Sequence, residues 1–179
     1  NHPEIQWKTV ETKNFLIHYS DKTRPAVFAA WNIAEEAYEV FKSLYNFEDL
    51  PKINLVLADY DDNNNGGYAE WNLRTIMIWI PDIHFDFRSE KVWLRNIITH
   101  ELAHIMSLAK KSRVQIINWT FQTQYISHDV KFNYRVPVAF STFFPHWFTE
   151  GTAQLRTEEM GGDCWDSRRS MVFRCAILD

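Results

Sequence analysis

The sequence lacks three features that would each point to a particular class of protein. Its longest apolar runs, residues 53–58 and 76–80, are far shorter than the roughly 20 residues of a transmembrane helix, which predicts no membrane span. Its 19 Lys and Arg residues are outnumbered by 23 Asp and Glu residues and form no basic block, which argues against a nucleic-acid partner. Its two cysteines, Cys164 and Cys175, form no C-x-x-C metal-binding pair, and their redox state stays open.

Aromatic residues, in contrast, are abundant. The 179 residues include eight Trp, thirteen Phe and seven Tyr, and side chains of this kind must be buried or used in recognition, so we expect the chain to fold. The length predicts a single domain over residues 1–179. Residues 1–4 do not resemble a signal peptide, and the missing initiator Met predicts a mature or trimmed product.

Hydrophobic periodicity predicts strands and a long helix in the first half of the chain. The predicted strands are residues 14–20, 53–58, 68–71 and 75–80, of which the last two form a hairpin. A helix is expected from Pro25 to Tyr45 after an N-cap at Thr23, because apolar residues recur every three or four positions. The Asp-, Asn- and Gly-rich residues 59–67 are predicted to be a loop.

The second half is predicted to be largely helical. One helix is expected over residues 89–108 with Ser89 as its N-cap, and another over residues 145–159, ended by Gly161 and Gly162. Residues 110–144 are aromatic and weakly periodic, and we interpret them as partly helical. A last helix is predicted after Asp166.

A metal-binding motif lies on the first of these helices. His100-Glu101-Leu102-Ala103-His104 is an H-E-x-x-H pattern, and on a helix turning about 100° per residue both imidazoles can reach one ion. Glu101 lies at the edge of the same face, where its carboxylate can accept a proton from the attacking water. Two histidines placed here by chance are the alternative, with odds of roughly one in two hundred for a chain of this length.

A hydrolytic zinc site needs a third protein ligand from elsewhere in the chain. Metzincins would place Gly and His at positions 107 and 110, which are Ser and Lys here, so that class is excluded. Glu150, on the next predicted helix and among apolar residues, is the predicted third ligand. Glu158 and Glu159 come late in that helix and are interpreted as solvated carboxylates. His146, one turn before Glu150, is either a partner of the site or a packing residue.

These motifs resemble those of the gluzincin peptidases, which combine H-E-x-x-H with a downstream Glu in a W-x-x-E-G-x-A-like stretch. More narrowly, the chain is similar to the peptidase-MA-like domains of bacterial envelope proteins, some of which precede Tol-type β-propeller repeats. The matching positions run along nearly the whole chain: residues 15–19 (F-x-I-H-Y), 35–38 (E-E-A-Y), 67–69 (G-Y-A), Trp147, Glu150, Gly151, Ala153, and a closing M-x-x-R-x-A from Met171.

The resemblance implies a zincin-like α+β fold, with a small mixed β-sheet lobe, a long helix, an active-site helix and a mostly helical C-terminal half. Residues 1–108 would form the sheet lobe with the active-site helix, and residues 109–179 the half carrying the third ligand. It also implies one Zn²⁺ ion, an exported or envelope-associated protein that is longer than this chain, with a signal peptide in front and a β-propeller downstream, and a peptide or protein substrate. The substrate would pair with the hairpin strand near Tyr68, Ala69 and Glu70.

The chain departs from the family pattern at two points. Residues 105–149, 45 in number, separate His104 from Glu150, about twice the spacing in well-known gluzincins, and this insert is interpreted as a wall or lid. Gln154 stands where some relatives have an Asp that orients the first histidine. Tyr134 and His128 are the candidates for stabilising the oxyanion, although a structural role is the simpler interpretation of each.

The sequence therefore favours zinc-dependent hydrolysis of peptide bonds, with His100, His104 and Glu150 as metal ligands and Glu101 as general base. The alternative is a catalytically weak or inactive zinc-bearing domain that binds peptides or proteins in an envelope protein. The presence of Glu101 argues against this alternative, because a purely structural zinc site has no use for a base. A metal-free structural domain would require both motifs to be coincidences.

Overall fold

The computed structural model describes residues 4–47, 50–60, 66–70, 73–80, 93–109, 120–126, 131–137, 146–162, 174, 175 and 177. They form an α+β structure with a five-stranded mixed sheet, a separate two-stranded sheet and three α-helices. Within these ranges, no helix is long and apolar enough to cross a membrane.

The five-stranded sheet is parallel at its centre and antiparallel at both edges. Its strands lie in the order β1-β2-β3-β5-β4, where β2, β3 and β5 are parallel to one another. Their bounds are Lys8–Glu11 (β1), Phe15–Tyr19 (β2), Ile53–Ala58 (β3), Gly66–Glu70 (β4) and Thr75–Trp79 (β5). Strands β2 and β3 and the β4–β5 hairpin confirm the sequence prediction, although Gly66 and Gly67 belong to β4 and not to the predicted loop. The largely exposed β1 was not predicted.

Three helices follow the predicted pattern with changes at their ends. They are α1 (Val27–Tyr45), preceded by a 3-10 turn at Arg24–Ala26, α2 (Trp93–Ala109) and α3 (His146–Glu159). Thr23 is the N-cap residue of this 3-10 turn, as its position predicted, but its hydroxyl makes no capping bond and instead donates to the Leu57 carbonyl at 3.1 Å. Helix α3 ends as predicted, with Gly161 at φ 78°. The predicted Ser89 cap of α2 lies outside the described residues.

The core lies between one face of the sheet and helices α1 and α2. Alternate residues of the central strands point to this face, and the register aligns Ile17 with Leu55 and Leu55 with Ile76, all fully buried. Small residues of α1, such as Ala34 and Ala37, are also fully buried and permit close packing. The sheet thus forms a rigid base on which α2 is fixed.

The prediction that residues 109–179 are mostly helical is wrong for part of this range. Strands β6 (Thr120–Ile126) and β7 (Lys131–Pro137) form an antiparallel hairpin in the segment interpreted as partly helical. Strand β7 alternates polar and apolar residues from Lys131 to Val136, which is the period of a strand and the signal that the interpretation missed, whereas residues 122–124 of β6 are all polar. The predicted last helix falls mostly outside the described residues, which include only 174, 175 and 177 there.

Candidate metal centre

The H-E-x-x-H motif lies in the middle of α2, which turns one face to the core and another to α3. Ile98, Leu102 and Ile105 are fully buried and anchor the helix. The rings of His100 and His104, one turn apart, have centroids 4.9 Å apart and their Nε2 atoms are separated by 3.2 Å. Both imidazoles therefore present the same nitrogen to one point in space.

Helix α3 brings the predicted third ligand to this point. It packs along α2 through Ala153, which is 2% exposed, and through the buried Thr157. One turn earlier, Glu150 Oε2 lies 3.1 Å from His100 Nε2, and Glu150 Oε1 lies 3.4 Å from His104 Nε2. The structure thus brings together all three residues that the sequence proposed as ligands, with their ligand atoms within 4.8 Å of one another.

The spacing of these donors fits a single cation. Four ligands at about 2.0–2.1 Å from a tetrahedral ion are about 3.3 Å apart from one another. The two Nε2 atoms are 3.2 Å apart and Glu150 Oε2 lies 3.1 Å from that of His100, whereas the 3.4 Å approach to His104 is made by the other carboxylate oxygen, Oε1. The side chains of His100 and His104 are 20% and 13% exposed, and that of Glu150 is 44% exposed. The group can therefore hold a metal ion at the edge of the protein interior, with one side open to solvent.

Glu101 lies in a different environment from the ligands beside it. The residue is only 7% exposed, and among the described residues its carboxylate accepts no hydrogen bond. Burial, reinforced by the nearby Glu150 carboxylate, raises the pKa of Glu101 to about 7. A cation held by Glu150 would lower the pKa of Glu101 again, because it favours the ionised form of each carboxyl group and so opposes both the burial and the repulsion from Glu150.

Strand β4 approaches Glu101 closely at Gly67. A Cβ atom on Gly67 would lie 2.6 Å from Glu101 Cγ and 2.7 Å from Glu101 Oε1. Sequence reasoning named Gly67 only as part of the G-Y-A turn and missed this contact. A hairpin just before an H-E-x-x-H helix carries no signal of which glycine the helix will touch.

The remaining residues named from the sequence are only partly placed. Glu158 and Glu159 are exposed, which confirms their assignment as solvated carboxylates. His128 lies outside the described residues, and of Tyr134 and His146 only the backbone is described, in β7 and at the start of α3. Gln154 is half-buried in α3.

Tyr68, Ala69 and Glu70, which the sequence placed near a substrate, all lie on β4. The Tyr68 hydroxyl donates to Glu70 Oε2 at 2.8 Å.

No protein-family model and no curated protein matches this sequence. The function must therefore be argued from the chemistry of the site.

Proposed function

We propose that this protein is a zinc-dependent peptidase of the gluzincin type. The observation that carries the proposal is the convergence of the Glu150 carboxylate on two imidazoles from a neighbouring helix, at 3.1 and 3.4 Å. The H-E-x-x-H motif supplies only two ligands, and a third one at this distance is what a hydrolytic metal site requires.

The ligand set favours zinc among the common cations. Two neutral imidazoles and one carboxylate suit a borderline ion, whereas calcium and magnesium prefer oxygen ligands alone. Three protein ligands leave a fourth position for water or substrate, as in catalytic zinc sites, while structural zinc sites have four. Bound zinc would polarise the substrate carbonyl and acidify water.

Glu101 is the proposed general base. Its position on α2, one residue after the first ligand, puts the carboxylate beside the metal centre, and its interaction with Glu150 reflects this proximity. In the proposed reaction Glu101 accepts the proton of the attacking water and then donates it to the nitrogen of the leaving amine. Its burial limits competition from bulk water for this proton.

The outer edge of β4 is the proposed platform for an extended peptide. This strand closes the sheet next to α2, and of the described strands only β5 pairs with it. A peptide adding to this edge would use its main-chain hydrogen bonds for affinity. Tyr68, which is 55% exposed, lies on the strand where it can contact such a substrate.

The test combines metal analysis with a digest of a peptide library. Wild-type protein is expected to contain one zinc ion and to cleave peptides. Glu101→Gln is expected to retain zinc and lose at least about 100-fold in turnover, the usual effect of removing a general base. Glu158→Gln, an exposed carboxylate at the end of α3, is the matched control and is expected to behave as wild type.

Two results would reject the proposal. Unchanged turnover in Glu101→Gln would reject the mechanism. A zinc-loaded wild-type protein that cleaves no peptide in the library would instead favour a zinc-bearing binding domain.

A further inference from the structure

Two adjacent glycines in β4 have very different surroundings. A Cβ on Gly66 would meet its nearest atom, Trp79 Cε3, at an ordinary contact distance of 3.9 Å. A Cβ on Gly67 would lie 2.6 Å from Glu101 Cγ, 2.7 Å from Glu101 Oε1 and 2.8 Å from Ile97 Cγ1. A side chain on residue 67 would therefore clash unless a neighbouring side chain moved, whereas one on residue 66 would not.

Backbone conformation does not explain the glycine at position 67. Gly161 is the one glycine with positive φ among those in the described ranges, so the backbone of Gly67 would accept an L-residue without strain. Residue 67 pairs with Ile78 in a regular antiparallel register, where other residue types are ordinary. The restriction to glycine at position 67 therefore comes from the side chains of α2 that pack against β4.

The Glu101 side chain occupies the space that a side chain on residue 67 would fill. Ile97, one turn earlier on α2, closes the same space from the other side. Since Glu101 is 7% exposed and its helix is anchored in the core, the carboxylate has little room to adopt another rotamer while it stays buried. The bare backbone of β4 thus forms one wall of the Glu101 pocket.

We propose that Gly67 is a positioning residue, whose missing side chain holds the Glu101 carboxylate in place beside the metal centre. The inference rests on the proposed function for its catalytic consequence, but the steric contact is independent of it. A methyl group at position 67 forces Glu101 away from β4 and leaves the three metal ligands, which belong to α2 and α3, in place.

The first experiment compares Gly67→Ala with Gly66→Ala in zinc content and peptidase kinetics. Gly67→Ala is expected to bind zinc stoichiometrically and to lose about 100-fold in kcat with little change in KM, because a base displaced by about 1 Å works poorly. Gly66→Ala lies on the proposed peptide-binding strand and does not contact Glu101, so it is expected to keep the zinc content and kcat of wild type, with any change confined to KM. Equal turnover in the two variants, or a loss of zinc that accounts for the lost activity of Gly67→Ala, would overturn the proposal.

The second experiment needs no activity and separates this inference from the proposed function. Thermal unfolding is measured in chelator for wild type, Gly67→Ala, Glu101→Ala and the double variant. Overpacking in Gly67→Ala is expected to lower Tm by about 3–10 °C. In the Glu101→Ala background the same substitution is expected to lower Tm by less, because Glu101 Cγ and Oε1 are gone and only the contact with Ile97 Cγ1 remains.

This double-mutant cycle stays informative even if Gly67→Ala does not fold. If Gly67→Ala alone is unfolded, recovery of folding in the double variant supports the contact. Equal losses of Tm in both backgrounds, or no recovery, would show that Gly67 does not act through Glu101. A wild-type protein that cleaves no peptide would reject the proposed function and leave this cycle valid.

Discussion

Two glutamates on neighbouring helices are used in opposite ways. Glu35 of α1 accepts hydrogen bonds from Thr12 Oγ1 at 2.5 Å, from the Asn14 backbone at 2.9 Å and from Asn14 Nδ2 at 2.6 Å. Glu101 of α2 is more deeply buried, accepts no hydrogen bond within the described ranges and lies near a second carboxylate, Glu150. The Glu35 carboxylate thus links the β1–β2 turn to α1 by hydrogen bonds. The Glu101 carboxylate has no hydrogen bond from the described residues to offset the cost of its burial.

The difference separates a stabilising region from a reactive one. A carboxylate that receives several hydrogen bonds is fixed and contributes to folding. A buried carboxylate next to another acid destabilises the fold, and such groups concentrate at functional sites. Substitution of Glu35 should therefore lower the free energy of unfolding, whereas substitution of Glu101 should raise it.

The largest effect is expected from removing the third ligand. Glu150→Ala deletes the only carboxylate of the proposed zinc site, and we expect zinc affinity to fall at least about 100-fold, because losing even an outer partner of a ligand costs about 10- to 100-fold. Competition titration against a chromophoric chelator measures the change. Glu158→Ala, an exposed carboxylate two turns further along α3, is the control and should bind zinc as wild type does.

Normal zinc affinity in Glu150→Ala would contradict the site as proposed. It would mean that the ion, if bound, takes its third ligand from outside the residues that the structure describes.

The second prediction concerns the structural carboxylate. Glu35→Ala removes three hydrogen bonds at once and is expected to lower the free energy of unfolding by about 2–4 kcal/mol, measured by urea denaturation. Zinc affinity should not change, because Glu35 contacts the turn between β1 and β2 and not the metal centre.

Glu39→Ala is the matched control, since Glu39 lies one turn further along α1 in an exposed pair with Lys13. This variant is expected to be close to wild type in stability. Equal unfolding midpoints for the Glu35 and Glu39 variants would show that the hydrogen bonds to Glu35 do not stabilise the fold.

Sequence patterns predicted elements whose periodicity is strong and whose contacts are local. Strand β3 was predicted with its observed bounds, because six apolar-rich residues follow a proline. The helix of the H-E-x-x-H motif was predicted from the spacing of its apolar residues, and the helix of Glu150 from a proline at its start and two glycines after its end. Glu150 was proposed as third ligand from the chemistry that zinc requires, and the structure brings it together with the two histidines in a group that could hold a metal ion.

Features that depend on distant packing were not predictable in the same way. The strand order, with β5 inserted between β3 and β4, leaves no local pattern in the sequence. Thr23 looks like a helix cap, yet its hydroxyl bonds to Leu57 on a strand 34 residues away. Strand β7 did carry a period-2 signal, but β6 breaks the alternation with three consecutive polar residues, so the segment as a whole is only weakly periodic.

The third prediction tests the cost of the buried base. In metal-free protein, Glu101→Gln is expected to raise the free energy of unfolding at pH 8 by about 1–3 kcal/mol, because it removes a charge buried near Glu150. The folded-state pKa of Glu101 is raised from 4.5 to about 7. Wild type therefore loses stability relative to the variant as the pH rises from 4.5 to 7, and the difference is constant above that range.

Unfolding of both proteins measured in chelator at pH 5 and pH 8 checks the direction of this pH dependence. The two proteins should be close at pH 5, where Glu101 is protonated in the folded state. A larger advantage for Glu101→Gln at pH 5 than at pH 8 would contradict the account of the buried carboxylate.

The smallest effect is expected from the ion pair that joins the two helices at the surface. Arg95 of α2 donates from Nη1 to Glu36 Oε2 at 3.0 Å and from Nη2 to Glu36 Oε1, but the two side chains are 31% and 55% exposed. Because solvent screens such pairs, Glu36→Gln should cost less than about 1 kcal/mol, and the difference should shrink in high salt. A cost as large as that of Glu35→Ala would mean that the α1–α2 contact depends on surface charge. Exposed carboxylates would then stabilise the fold as much as buried, hydrogen-bonded ones, and the contrast between Glu35 and Glu101 would lose its meaning.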